Sequence, residues 1–101
     1  MIYLSGFCGI DKNAQLLGNG DIKLETKYAL ENLKTVIEAA GSTFENIMKV
    51  NIFITDLNKY GDLNTTYADY FRDFNPARSC VEVKALPIPN ATVEIEAVAL
   101  S

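Results

Sequence analysis

A two-layer α/β sandwich, one four-stranded sheet with two helices packed on a single face, is the fold class this sequence predicts. Two observations carry the prediction. Four short segments have strand character and two have helical periodicity, in the order β-α-β-α-β-β. Two amphipathic helices cover one face of a four-stranded sheet and no more. Size agrees: the chain has 101 residues, 49% of them apolar, enough for one core that buries roughly 65% of the unfolded surface. Residues 1–101 are therefore read as one domain.

Residues 2–8 (Ile-Tyr-Leu-Ser-Gly-Phe-Cys) form the first expected strand. Residues 9–21 hold Gly9, Asp11, Asn13, Gly18, Asn19 and Gly20 and read as a loop. Asp21 is the expected N-cap of a helix whose apolar stripe is Thr26, Ala29, Leu30, Leu33, Val36, Ile37 and Ala40, with Gly41 as its stop. Ser42-Thr43-Phe44-Glu45 has a capping-box pattern ahead of a short turn. In 47–55 the residues alternate, with Met48, Val50, Ile52 and Ile54 on one side and Lys49, Asn51, Phe53 and Thr55 on the other. Asp56 is the expected cap of a second helical stretch, with a break at Gly61, a stripe of Tyr60, Leu63, Tyr67, Tyr70 or Phe71 and Phe74, and an end at Pro76. Two more alternating strands, 78–85 and 92–99, are joined through Pro87, Pro89 and Asn90. The sheet face away from the helices is expected to carry Lys49, Asn51, Phe53, Thr55, Arg78, Cys80, Glu82, Glu94, Glu96 and Val98. Such a half-polar face is either solvated or packed on another subunit.

Composition excludes several functions. The net charge is −4, the pI about 4.6, and the two arginines are Arg72 and Arg78. A phosphate-neutralising surface needs clustered Lys and Arg, so nucleic-acid binding is disfavoured. Histidine is absent, which removes Ser-His-Asp and Cys-His nucleophile pairs and His-ligated metals. Cys8 and Cys80 are read as two reduced, mostly buried thiols. No apolar run approaches a membrane span and no signal segment opens the chain, so a cytoplasmic protein is expected.

Several residues are candidates for chemistry. Arg78 stands at a strand entrance, where a planar guanidinium can hold a carboxylate; a salt bridge to Asp73 or Glu82 is the structural alternative. Glu94 and Glu96 share a strand face and can act in acid–base work or simply be solvated. Cys80 lies on the face of Arg78, whose charge favours thiolate, or it is a small side chain whose backbone lines a cleft. Ser5-Gly6 either lets a ligand approach the backbone or begins a turn. Asn64 lies on a polar helix stretch.

Together these residues resemble a known family. Pro76-Ala77-Arg78-Ser79-Cys80-Val81-Glu82-Val83, the Leu86-Pro87 bend and Val93-Glu94-Ile95-Glu96-Ala97 resemble the C-terminal signature of the reactive intermediate deaminase (RidA) family, also labelled YjgF-like, endoribonuclease L-PSP or translation initiation inhibitor. Leu4-Ser5-Gly6, Glu38-Ala39-Ala40-Gly41-Ser42, residues 47–57 and Asn64-Thr65-Thr66-Tyr67 extend the likeness over residues 2 to 99. Two departures stand out. Family members usually carry an extra N-terminal strand and a Gly-Pro-Tyr-type loop, which these 101 residues lack, and Phe7 replaces a common Gln.

The resemblance implies a chorismate-mutase-like α+β sandwich with a mixed sheet, assembled as a homotrimer with clefts between subunits. The implied activity is hydrolysis of reactive 2-imino or enamine acids, such as 2-aminoacrylate and 2-iminobutanoate, to 2-keto acids and ammonia, with no metal or organic cofactor. Arg78 would hold the substrate carboxylate and Glu94 would orient and deprotonate water. Cys80 would contribute backbone contacts, and Ser5, Gly6 and Asn64 the remaining wall. A non-catalytic trimer that binds small carboxylates is one alternative; the ribonuclease activity of the older label and a chorismate mutase are others. Acidic charge and the lack of His weigh against ribonuclease, and a single placed arginine against chorismate mutase.

Overall fold

The computed structural model describes residues 1–18 and 20–101. Asn19, read from the sequence as part of the first loop, lies outside the described residues. The elements run β1 (Ile2–Phe7), α1 (Ile22–Ala39), β2 (Ile47–Ile54), α2 (Tyr60–Tyr70), β3 (Ala77–Glu82) and β4 (Val93–Ala99), the expected order, with 3₁₀ turns at Phe44–Asn46 and Leu57–Lys59. The sheet order is β1-β4-β2-β3. β4 is antiparallel to both neighbours, whereas β3 runs parallel to β2 because α2 carries the chain back between them.

Each helix has a local cause. Asp21 accepts from the Lys23 amide at 2.9 Å and so caps α1. At the other end Gly41 takes φ 85°, Ser42 N–H reaches Ile37 O and Gly41 N–H reaches Glu38 O, both at 3.0 Å. That left-handed closure is open to glycine at little strain. The buried stripe of α1 is Ile22, Glu25, Thr26, Ala29, Leu30, Leu33 and Ile37. Val36 and Ala40, expected in that stripe, are exposed, since the stripe rotates toward the helix start where Ile22 enters the core. Asp56 caps the turn before α2, accepting from Asn58 N–H at 3.0 Å. The break falls at the join of turn and helix, not at Gly61, and α2 ends at Tyr70, six residues short of Pro76. The capping box does not form: Thr43 makes no side-chain cap, and Ser42 Oγ donates to Leu100 O at 2.6 Å.

The core lies between the helices and one sheet face: Leu30, Leu33 and Ile37 from α1, Leu63 and Tyr67 from α2, and Val50, Ile52, Ile54, Val93, Ile95, Ala97 and Ala99 from the sheet. β2 departs from strict alternation. Ile47 is buried and Met48 exposed, because the register with β4 shifts between Ile47 and Lys49 and turns Met48 outward. From Lys49 onward the alternation is as expected.

Candidate functional site

The parallel register of β3 decides where Arg78 points. Arg78 lies opposite Val50 and Cys80 opposite Ile52, both core residues of β2, so Arg78 and Cys80 are on the helix side of the sheet. Glu82, opposite Ile54, shares that side. This corrects the expectation that all three line the open face. Ser79 and Val81 take that face instead, and Lys49 Nζ donates to Ser79 Oγ there at 2.9 Å. Alternation alone left the two sides of an edge strand indistinguishable, and pairing with β2 breaks the tie.

The Arg78 guanidinium is held by aromatics. Its carbon lies 4.6 Å from the Tyr67 ring centroid and 5.5 Å from that of Tyr60. Nη2 donates to the Tyr60 hydroxyl at 2.8 Å, while Nη1 is buried without a partner. The salt bridges considered from the sequence do not form. Glu82 accepts from the Leu57 amide at 2.9 Å, and the ion pair found among the described residues joins Arg72 to Asp69.

Beside Arg78 is an open cavity of about 310 Å³, walled by Asn64, Tyr67, Ala68, Phe71 and Pro76. Asn64 Oδ1 and the Tyr67 hydroxyl are likewise buried and unpartnered. Three such atoms around one cavity are unusual in a settled core, where buried polar groups find partners. Burial pushes the Tyr67 phenol up to about 12 against the opposing charge of Arg78, so it remains a donor. Burial also raises the Cys80 thiol, outweighing Arg78, which argues against a thiolate nucleophile.

A second cluster occupies the open face. Glu94 pairs with Phe53 across the sheet and lies over Gly6, where an added Cβ would sit 2.6 Å from the Glu94 carboxyl carbon. The Cys8 thiol donates to Glu94 Oε1 at 3.7 Å. Ser5 lies nearby in a groove of about 220 Å³ with Tyr3, Asn51, Glu96 and Val98, and Asn51 Nδ2 donates to Glu96 Oε1 at 3.2 Å.

Arg78, Asn64 and Cys80 are thus gathered on the helix side, and Ser5, Gly6 and Glu94 on the other, with the sheet between the two groups. Tyr60, Tyr67 and Cys8 were not among the site residues expected from sequence. The available signal was a tyrosine in an apolar helical stripe, whose buried hydroxyl needs a partner.

The sequence profile described as Endoribonuclease L-PSP matches residues 1–101. The mouse 2-iminobutanoate/2-iminopropanoate deaminase is 40% identical over 99 residues, covering 98% of this chain and 73% of its own. A RutC family protein of Pyrococcus horikoshii is 39% identical over 98 residues, covering 97% and 77%. Among solved structures, YyfA of the Rid family from Yersinia pestis is 44% identical with TM-score 0.89, covering 96% of this chain and 77% of its own. E. coli TdcF with bound serine is 33% identical with TM-score 0.89, covering 98% and 79%. A profile match along the whole chain, together with relatives near 40% identity, places this chain in the endoribonuclease L-PSP family, the RidA/YjgF group.

Proposed function

We propose that the chain hydrolyses small 2-imino acids to 2-keto acids and ammonia, as part of a homotrimer whose sites form between subunits. The observation that carries the reading is Arg78: an arginine free of carboxylates, braced by two tyrosines, with Nη1 buried and unpaired beside a cavity. A desolvated guanidinium favours an anion, and the cavity suits a small one. Asn64 Oδ1 asks for a donor and the Tyr67 hydroxyl for an acceptor. A 2-imino acid offers both, an N–H beside a carboxylate. The names of the mammalian relatives and the serine bound to TdcF point to the same chemical class.

The two clusters on opposite sheet faces favour assembly. Arg78, Asn64 and the Cys80 backbone of one subunit would meet Ser5, Gly6 and Glu94 of the next, with the open faces turned inward. In the reaction Glu94 takes a proton from water as its oxygen adds to the imine carbon. The proton then passes to the nitrogen to give a carbinolamine; Glu94 moves the carbinolamine's hydroxyl proton to the amine, the carbon–oxygen double bond forms as the carbon–nitrogen bond breaks, and ammonia leaves the keto acid. The labile substrate needs no strong nucleophile, and none is assigned.

The test is turnover of 2-aminoacrylate or 2-iminobutanoate generated in situ by a dehydratase. Arg78→Ala removes a charge-assisted contact of ~1.5–3 kcal/mol and should lose roughly ten- to hundredfold in kcat/KM. Glu94→Gln should lower kcat while pyruvate binding survives. Light scattering should give three copies of the 11.1 kDa chain. An Arg78→Ala protein as fast as its parent would sink the assignment. Keto-acid binding without turnover in the parent would move it to a carboxylate-binding module.

A further inference from the structure

We propose that Cys8 is a positioning residue for Glu94: its thiol tethers Oε1 and leaves Oε2 as the oxygen that meets water. The proposal rests on the hydrolytic role given to Glu94 above. Cys8 is 4% exposed, with Sγ 3.7 Å from Glu94 Oε1. Among the described residues no protein donor reaches Oε2, which occupies the space that a Cβ on Gly6 would take.

The frame that aims the thiol is independent of the thiol itself. Asn32 Nδ2 on α1 donates to Cys8 O at 3.0 Å and to Ile10 O at 2.9 Å, and Ile10 N–H also reaches Cys8 O at 2.9 Å. Gly9 lies so close to α1 that an added Cβ would sit 2.6 Å from Glu25 O. Cys8 is thus clamped to α1, at Glu25 and at Asn32, and carried to the start of β4. From α1 the facing charged group is Glu25, whose carboxylate accepts from Thr92 N–H at 2.9 Å and Thr92 Oγ1 at 2.8 Å. From β2 the residue paired with Glu94 is Phe53, which carries no charge, and along β4 Glu96 is held by Asn51.

Chemistry gives the tether its direction. Burial first, then the charge and hydrogen bond of Glu94 and the charge of Glu25, push the thiol up to about 12. It therefore stays an S–H donor across the working pH range, and no covalent role is open to it. The donor also stops rotation of the carboxylate, so one oxygen is presented to the water.

Cys8→Ala should lower kcat about three- to tenfold with KM nearly unchanged. Cys8→Ser, which restores a donor, should return kcat toward the parent. A readout that needs no turnover is the infrared S–H stretch, isolated as the parent minus Cys8→Ala difference. It should move to higher frequency in Glu94→Gln. If the parent turns over no imine while the band follows Glu94, the tether stands and the assigned reaction falls. A band indifferent to Glu94→Gln, or a Cys8→Ala kcat equal to that of an active parent, overturns the proposal.

Discussion

Gly6→Ala separates the geometry of Glu94 from the stability of the fold. The backbone tolerates the change, since Gly6 is not among the residues with positive φ. What it does not tolerate is the methyl group, which would lie 2.6 Å from Cδ and 2.8 Å from Cγ of Glu94. Carbon atoms pack near 3.5 Å, so the carboxylate must retreat by roughly 1 Å. Pushing a flexible side chain off its rotamer costs about 0.5–1.5 kcal/mol. Alanine in place of glycine returns about 0.4–1 kcal/mol through the unfolded chain. The two nearly cancel, so Tm should move by less than about 8 °C. Catalysis feels the displacement in full: an error of that size costs on the order of a hundredfold in kcat. The assay is kcat on 2-iminobutanoate beside a thermal melt and a mass measurement on the same sample. Gly6→Ala in a Glu94→Gln background should add little further loss. Parent-like kcat in a folded Gly6→Ala protein would show that Glu94 does not act from this position.

Tyr67→Phe deletes a buried hydroxyl that has no protein partner, so denaturant unfolding should show unchanged or slightly raised stability, by up to ~1 kcal/mol. Keto-acid binding, measured calorimetrically, should weaken in the same variant. Glu25→Ala strands the Thr92 amide and hydroxyl beneath α1, and urea titration should register a loss of about 2–5 kcal/mol. Glu25→Gln, which keeps an acceptor, should lose less. Above pH 9 the fold should weaken. Cys8 and Tyr67 ionise near 9 and 10 when unfolded and near 12 when folded. The unfolded chain therefore releases protons first, and stability present below pH 9 declines as pH rises toward 12. Cys8→Val should flatten that decline in chemical denaturation series.

Element order was legible because each strand or helix carries a pattern of its own length, as with Val93, Ile95, Ala97 and Ala99 on β4. Asp21, Gly41 and Asp56 marked helix ends because capping is decided within a few residues. What sequence left open depends on partners distant in the chain. The side of Arg78 follows from pairing Ala77–Glu82 with Lys49–Ile54. The burial of Ile47 in place of Met48 follows from a register shift against β4. Arg78, Asn64 and Glu94 were named from a family likeness, yet their separation by the sheet appears in no local pattern. Tyr67 looked apolar because its ring is part of the core, and only its unpartnered hydroxyl sets it apart beside the cavity.

β4 is the last of the four strands to leave the ribosome, yet it lies between β1 and β2. Until Val93–Ala99 emerges, β1 has no strand to pair with, and β2 can pair only with β3. Synthesis therefore holds two open strand edges and an uncovered apolar sheet face until that strand is made. Closure of the sheet cannot run alongside translation of the earlier elements. A product cut short before residue 93 would retain both helices and the Arg78 pocket residues, lack the strand that joins the halves of the sheet, and be a substrate for chaperones and proteases.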